Sequence, residues 1–166
     1  MLRRFAPALL AAALLGSVPA SAAEPWPQGA EALAQAHPSE LMGKAPALMA
    51  SGRQDEATFW FYAGQLRWRA SLQAKPEQDP TGEPALFASL FETIGPQVNG
   101  WAFGDIPALQ QTIDAVLAWD ERYPDPSIPP AIMASTRAGL VKLRDQIGRD
   151  ADKIRTQRAA ADLPNR

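Results

Sequence analysis

The sequence predicts an all-α fold: a single-domain irregular helical bundle of about 5–7 helices around an aromatic central helix at about residues 54–75. Three observations predict it. No stretch sustains the apolar-polar alternation of a strand, and the one Asn-Gly pair, Asn99-Gly100, has no strand-like runs beside it. Pro27, Pro38, Pro46, Pro84, Pro96, Pro107 and Pro129-Pro130 fall mostly between apolar-periodic segments. Proline is accepted in a helix's first turn and disrupts its interior, so these positions read as helix starts. From Gln54 to Lys75, Ala57, Phe61, Gly64, Trp68 and Leu72 form one stripe at spacings of three and four, and Phe59, Tyr62, Leu66 and Ala70 form a second beside it. Two adjacent stripes demand burial on most sides of the helix.

Taken in order, the chain begins with Arg3-Arg4, an apolar run from Phe5 to Gly16 and small residues ending Ala20-Ser21-Ala22. That is a secretory signal in three parts, with cleavage expected before Ala23 and a periplasmic or secreted mature protein; the apolar run is too short to span a bilayer. Residues 23–166 are expected to form one helical domain whose end, about 156–166, frays. Gly29 to Ala36 is a short docked helix, and Ser39 to Ala50 a second, broken or kinked at Pro46 and ended by Ser51-Gly52. Asp55-Glu56 places negative charge at the start of the central helix, where the macrodipole favours it. Asp79-Pro80-Thr81-Gly82 is a turn. Leu86, Phe87, Leu90, Phe91 and Ile94 give a helix closed by Gly95-Pro96, followed by an irregular turn over residues 97–104. Asp105 caps the next helix, whose core face is Ile106, Leu109, Ile113, Val116, Leu117 and Trp119. Residues 123–130 are extended, and one last amphipathic helix runs from about Pro130 to Ala161, its sparse distal part free to reach solvent or a partner.

Composition closes several chemistries. The absence of Cys removes thiol nucleophiles, thiolate metal sites and disulfides together, and the single His37 leaves no His-rich metal site. No metal and no cofactor are expected. Removing Arg3 and Arg4 leaves 14 basic against 18 acidic residues, a balance of −4, with no basic cluster to displace counterions from phosphates, which excludes nucleic acid as a partner. No later run is long enough for an integral membrane span in the mature form. Gly-x-Ser-x-Gly, phosphate-loop and dinucleotide signatures are absent, and His37 before Pro38 reads as an exposed loop histidine.

Ala50 to Gly64, with Gly52 at the turn, Ala57, Phe61 and the small Gly64, resembles the middle of a tetratricopeptide repeat over about one helical hairpin. The runs Phe59-Trp60-Phe61-Tyr62-Ala63-Gly64-Gln65-Leu66-Arg67 and Trp101-Ala102-Phe103-Gly104-Asp105 are similar to those of uncharacterised exported bacterial proteins. Glu92 beside Thr93 resembles the glutamate of peptidoglycan-cleaving lysozyme-like enzymes.

These readings favour a protein-binding or scaffolding module acting on a partner in the periplasm or outside the cell. Gln65, Arg67, Trp68, Arg69, Glu92, Trp101 and Asp105 are its candidate binding residues. Gln65, Arg67, Arg69 and Gln73 mark the narrower face of the central helix that reaches water or a polar pocket. No catalytic residue is assigned. The alternatives are a cell-wall-directed or other small hydrolase using Glu92, whose carboxyl would then sit among Phe91 and Ile94, and a carrier of an apolar ligand using the aromatic helix. Asp105, Asp114, Asp120 and Glu121 are the available second carboxylates, but their spacing does not form a glycosidase pair. Asp79, Thr81 and Glu83 fall short of a calcium loop. Glu92 is expected instead to neutralise Arg67 or Arg69. Trp60, Trp68, Trp101 and Trp119 are read as either core or the lining of a groove.

Overall fold

The computed structural model describes residues 24–166, so the secretory signal expected over residues 1–22, with its expected cleavage before Ala23, lies outside the described residues. The described chain is all helical: a 3-10 turn at Ala30–Leu33, then α1 (Pro38–Gly43), α2 (Ala45–Ala50), α3 (Gln54–Ala74), α4 (Glu83–Ala102), α5 (Ile106–Arg122), α6 (Pro130–Arg149) and α7 (Ala151–Ala160). None of these helices is long and apolar enough to cross a membrane.

The predicted central helix is α3. Every residue from Ala57 to Trp68 is buried, and α1, α2, α4, α5 and α6 all pack around it. Phe59, Trp60 and Trp119 meet edge to face with centroids 5.0–6.0 Å apart, an arrangement favoured by the ring quadrupoles. Trp60, Trp68 and Trp119 are thus core. Gly64 is where α3 touches α1: a Cβ there would lie 2.9 Å from the Met42 nitrogen and from the Pro38 carbonyl oxygen, so only glycine permits this approach. Gly52, at φ +79°, makes the left-handed turn between α2 and α3. Pro46 divides the expected helix of residues 39–50 into α1 and α2, with Lys44 between them.

Two boundaries differ from the sequence reading. Gly95-Pro96 does not end its helix; α4 runs through to Ala102, absorbing the stretch expected to be an irregular turn. Ile94, Val98 and Ala102 form one buried stripe across the proline, and packing of that stripe outweighs local propensity. The Glu92 carbonyl that Pro96 cannot reach with a donor belongs to an exposed residue, where water can satisfy it. The last helix, expected to be continuous, breaks at Asp150, just after Gly148 and Arg149. α7 then carries Arg158 into a buried position, where its guanidinium donates to the carbonyls of Gly100 (2.9 Å) and Pro164 (2.7 Å).

Candidate functional site

Two polar systems lie on the flanks of α3. The first is buried. Arg67, fully enclosed, donates through Nε to Asp120 Oδ1 (3.0 Å) and through its terminal nitrogens to the carbonyls of Ala34 and Tyr123. Its guanidinium plane lies 4.1 Å from the Trp119 ring centroid. Arg137 on α6 donates to the other Asp120 oxygen at 2.7 Å. One aspartate thereby ties α3, α5 and α6 together, and because each of its three nitrogens donates to a partner and the side chain is fully enclosed, Arg67 is a structural residue.

The second system is open. Between α3 and α6 runs a groove of about 360 Å³. From α3 it is lined by Tyr62, Gln65, Leu66, Arg69 and Gln73, and from α6 by Ser135, Thr136, Gly139, Leu140 and Leu143. Helical periodicity explains the polar row: Gln65, Arg69 and Gln73 recur every fourth residue, roughly 6 Å apart along the axis. Gln65 is only 9% exposed, and its amide, which makes no hydrogen bond to any described residue, reaches solvent through the groove. Arg69 has no ion pair and no hydrogen bond among the described residues; its guanidinium rests against the rings of Phe87 (5.4 Å) and Phe91 (6.0 Å) on α4. Tyr62 donates its hydroxyl to Asn99 Oδ1 at 3.2 Å, and burial pushes its pKa up to about 12. On the opposite wall Leu143 is 43% exposed. Gly139 has open space where a side chain would project.

The structure thus brings Gln65 and Arg69 together and separates the other sequence candidates from them. Trp68 is a core residue whose indole N–H donates to Glu83 Oε2 at 2.8 Å. Glu92 is exposed, with no ion pair or hydrogen bond to a described residue; it neutralises neither Arg67, which Asp120 holds, nor Arg69. The helix that carries Glu92 turns its apolar stripe inward and Glu92 outward, which removes the apolar surroundings expected for it. Of the four carboxylates considered as its partners, Asp105 caps α5 by accepting from the Ala108 N–H (3.0 Å), Asp114 pairs with Arg144, Asp120 is buried in the arginine cluster, and Glu121 is exposed, with no ion pair or hydrogen bond to a described residue. Asp114 and Asp145 together hold the Arg144 guanidinium more firmly protonated than usual. Trp101, half-buried at the end of α4, donates to Asp55 Oδ1 (2.9 Å) and is covered by the Arg166 guanidinium, 3.5 Å from its ring centroid.

His37, read as an exposed loop histidine, is exposed, and it also caps a helix. Its Nδ1 caps α1 by accepting from the Ser39 N–H (3.3 Å) and lies 2.7 Å from Ser39 Oγ, while Nε2 is 3.4 Å from Glu83 Oε2. This sequence of hydroxyl, imidazole and carboxylate has the order of a hydrolytic triad. The backbone donors nearest the hydroxyl are occupied, the Ser39 N–H by the imidazole and those of Glu40 and Leu41 by the His37 carbonyl. Asp79 is likewise spent: the Thr81 backbone N–H, then its hydroxyl, hold the exposed carboxyl below its usual pKa.

Sequence reasoning missed the α6 wall. Leu140 and Leu143 fit the core stripe of the last helix by spacing; Leu140 does pack against the core, but Leu143 stays exposed, and both line the groove. Gly139, a weak helix former in the middle of an exposed helical face, was the available signal. No family model, curated protein or solved structure matches this chain.

Proposed function

We propose that this chain is a helical binding module that takes a short segment of a protein partner in the groove between α3 and α6. The observation that carries this reading is the pairing, over one groove, of two polar side chains without hydrogen-bond or ion-pair partners among the described residues, Gln65 and Arg69, with the exposed Leu143 opposite. Most binding sites combine an apolar lining with a few convergent polar groups, and this groove is of modest size for that class. An enclosed apolar chamber would favour a ligand carrier, but the aromatic residues of α3 fill the core themselves and the groove has a polar wall. The tetratricopeptide-like hairpin of residues 50–64 supports a protein partner, and the signal-like segment 1–22 supports a periplasmic or extracellular one.

The test places a photo-crosslinking residue at Leu143 in the groove and, separately, at Leu86 on the outer side of α4. The partner captured from position 143 is then purified and its affinity measured. Leu143→Asp should weaken it at least tenfold, and Leu86→Asp should leave it unchanged. Equal capture at both positions, or an affinity indifferent to Leu143→Asp, would contradict the proposal.

A further inference from the structure

We infer that Arg158 anchors a carboxylate-binding site, and that residues 161–166 are a strap that covers this site and lifts when the ligand enters. The α3–α6 groove plays no part in it. Two arginines among the described residues are buried, Arg67 at 0% exposure and Arg158 at 7%, and they are satisfied differently. Arg67 has the Asp120 carboxylate and two carbonyls for its three nitrogens. Arg158 has carbonyls alone: Nη2 donates to Gly100 (2.9 Å) and Pro164 (2.7 Å). Its Nε is the one buried side-chain polar atom among the described residues with no hydrogen-bond partner. A guanidinium taken out of water needs both its donors and its charge matched, and neutral carbonyls do only part of this. A carboxylate does both, because its two oxygens fit the N–H groups that Nε and a terminal nitrogen present on one edge.

The strap that supplies the Pro164 carbonyl is held by polar contacts. The Arg166 N–H donates to the Gly104 carbonyl (2.7 Å), its guanidinium donates to the Trp101 carbonyl (3.1 Å) and covers the Trp101 ring, and the Asn165 amide donates to the Arg155 carbonyl (3.2 Å). Every residue from 161 to 166 is exposed, Leu163 by 46%, so no apolar side chain anchors the segment. Such a segment opens at far lower cost than the core. It leaves α7 through Asp162, whose φ of +53° makes it the left-handed cap, with the Leu163 N–H reaching back to the Arg158 carbonyl at 2.9 Å. Aspartate takes this conformation less readily than glycine, so the closed strap carries strain at its hinge.

The surroundings favour an anion. A cavity of about 140 Å³ lies between the strap, α7 and the start of α5, with Gly104, Arg155, Asn165 and Arg166 on its wall. The Arg158 guanidinium stands directly behind Gly104: a Cβ there would be 3.3 Å from Nη2 and 3.2 Å from the Pro164 oxygen, so glycine lets the arginine, the strap and the α4–α5 corner meet. The carboxylate on the same wall, Asp105, accepts from the Ala108 N–H, and Asp152 pairs with Arg155. Neither reaches Arg158 within salt-bridge distance. An incoming carboxylate therefore competes with one carbonyl of a weakly anchored strap, and charge-assisted hydrogen bonds are roughly twice as strong as neutral ones.

The probe is sodium acetate, titrated into the isotope-labelled protein and followed by NMR at the Arg158 Nε–H. The expected result is a saturable downfield movement of that proton as it gains an acceptor, with movement of the Trp101 indole and Arg166 signals as the strap lifts. Acetamide, and sodium chloride at the same ionic strength, should produce neither. Acetyl-alanine and its amide distinguish the source of the carboxylate: tighter binding of acetyl-alanine than of acetate points to the end of a peptide, equal binding to a free small acid. Arg158→Lys keeps the charge, removes Nε–H and should abolish binding. Asp162→Gly and Asp162→Val test the strap without touching the site. Both remove the same charge, but glycine favours the closed hinge and valine opposes it, so the valine variant should bind acetate at least fivefold more tightly than the glycine variant. The inference would be overturned by the absence of a saturable shift at Arg158, by an equal response to chloride, by binding that survives Arg158→Lys, or by equal affinity of the two Asp162 variants.

Discussion

Replacing Gly64 and Gly139 by alanine, one at a time, should shift stability in opposite directions. Both glycines lie inside long helices, where alanine is ordinarily better by about 1 kcal/mol because glycine loses more backbone freedom on folding. At Gly139 a Cβ meets nothing within 4 Å, so the helix gain should appear nearly intact, about 0.5–1 kcal/mol of added stability. At Gly64 the same Cβ arrives 2.9 Å from two backbone atoms of α1, the Met42 nitrogen and the Pro38 carbonyl oxygen. Backbone cannot rotate aside as a side chain can. α1 must move outward, loosening Leu41 and Met42, both fully buried against α3. Overpacking of this kind costs about 1–3 kcal/mol, and partial exposure of two large apolar side chains adds to it. Net destabilisation of about 2 kcal/mol is expected for Gly64→Ala, a gap of about 2.5–3 kcal/mol between the two variants. Urea denaturation reads this directly, provided the dependence on denaturant is the same for both. If Gly64→Ala matched or exceeded Gly139→Ala in stability, the close α1–α3 contact, and with it the seating of the central helix, would be wrong.

Asp120→Asn should cost about 3–5 kcal/mol, since it leaves Arg67 charged and fully buried with its carboxylate gone; a thermal midpoint within error of the parent would refute the cluster's role. Glu92→Gln should change stability by no more than about 0.5 kcal/mol, because the residue is exposed and has no ion pair among the described residues; a larger loss would restore an ion pair for it. Tyr62 keeps its proton to about pH 12 in the folded protein, against about 10 when unfolded. The folded state therefore binds more protons between those values: this contribution to stability is complete below pH 10 and is lost as the pH rises toward 12, by about 2–3 kcal/mol. Comparing the alkaline denaturation of the parent with Tyr62→Phe isolates it, and identical pH dependence of the two would show that Tyr62 is not buried as described.

The helical class and the central helix were legible because period and punctuation agreed: the two stripes of α3 and the prolines opening α1, α4, α5 and α6 each have a local physical cause. The passage of α4 through Gly95-Pro96 was not legible, since it depends on Ile94, Val98 and Ala102 meeting a core that no local rule describes. The site divides in the same way. Gln65 and Arg69 stood out as polar residues on an aromatic helix, but Arg67 carried the same signal and is consumed by Asp120, fifty-three residues away. Pairing at that distance is invisible to spacing on one helix. Leu140 and Leu143 obey the periodicity of a core stripe and yet line an opening, because periodicity specifies a face and not what covers it.

Filling the groove without disturbing the fold tests its role most directly. Gly139→Trp places an indole into space that is open in the structure, on an exposed face of α6. With the partner captured through Leu143, the variant should bind at least tenfold more weakly than the parent while its denaturation midpoint stays at or above the parent value. Undiminished binding by a stably folded Gly139→Trp would contradict the assignment of the α3–α6 groove as the functional surface.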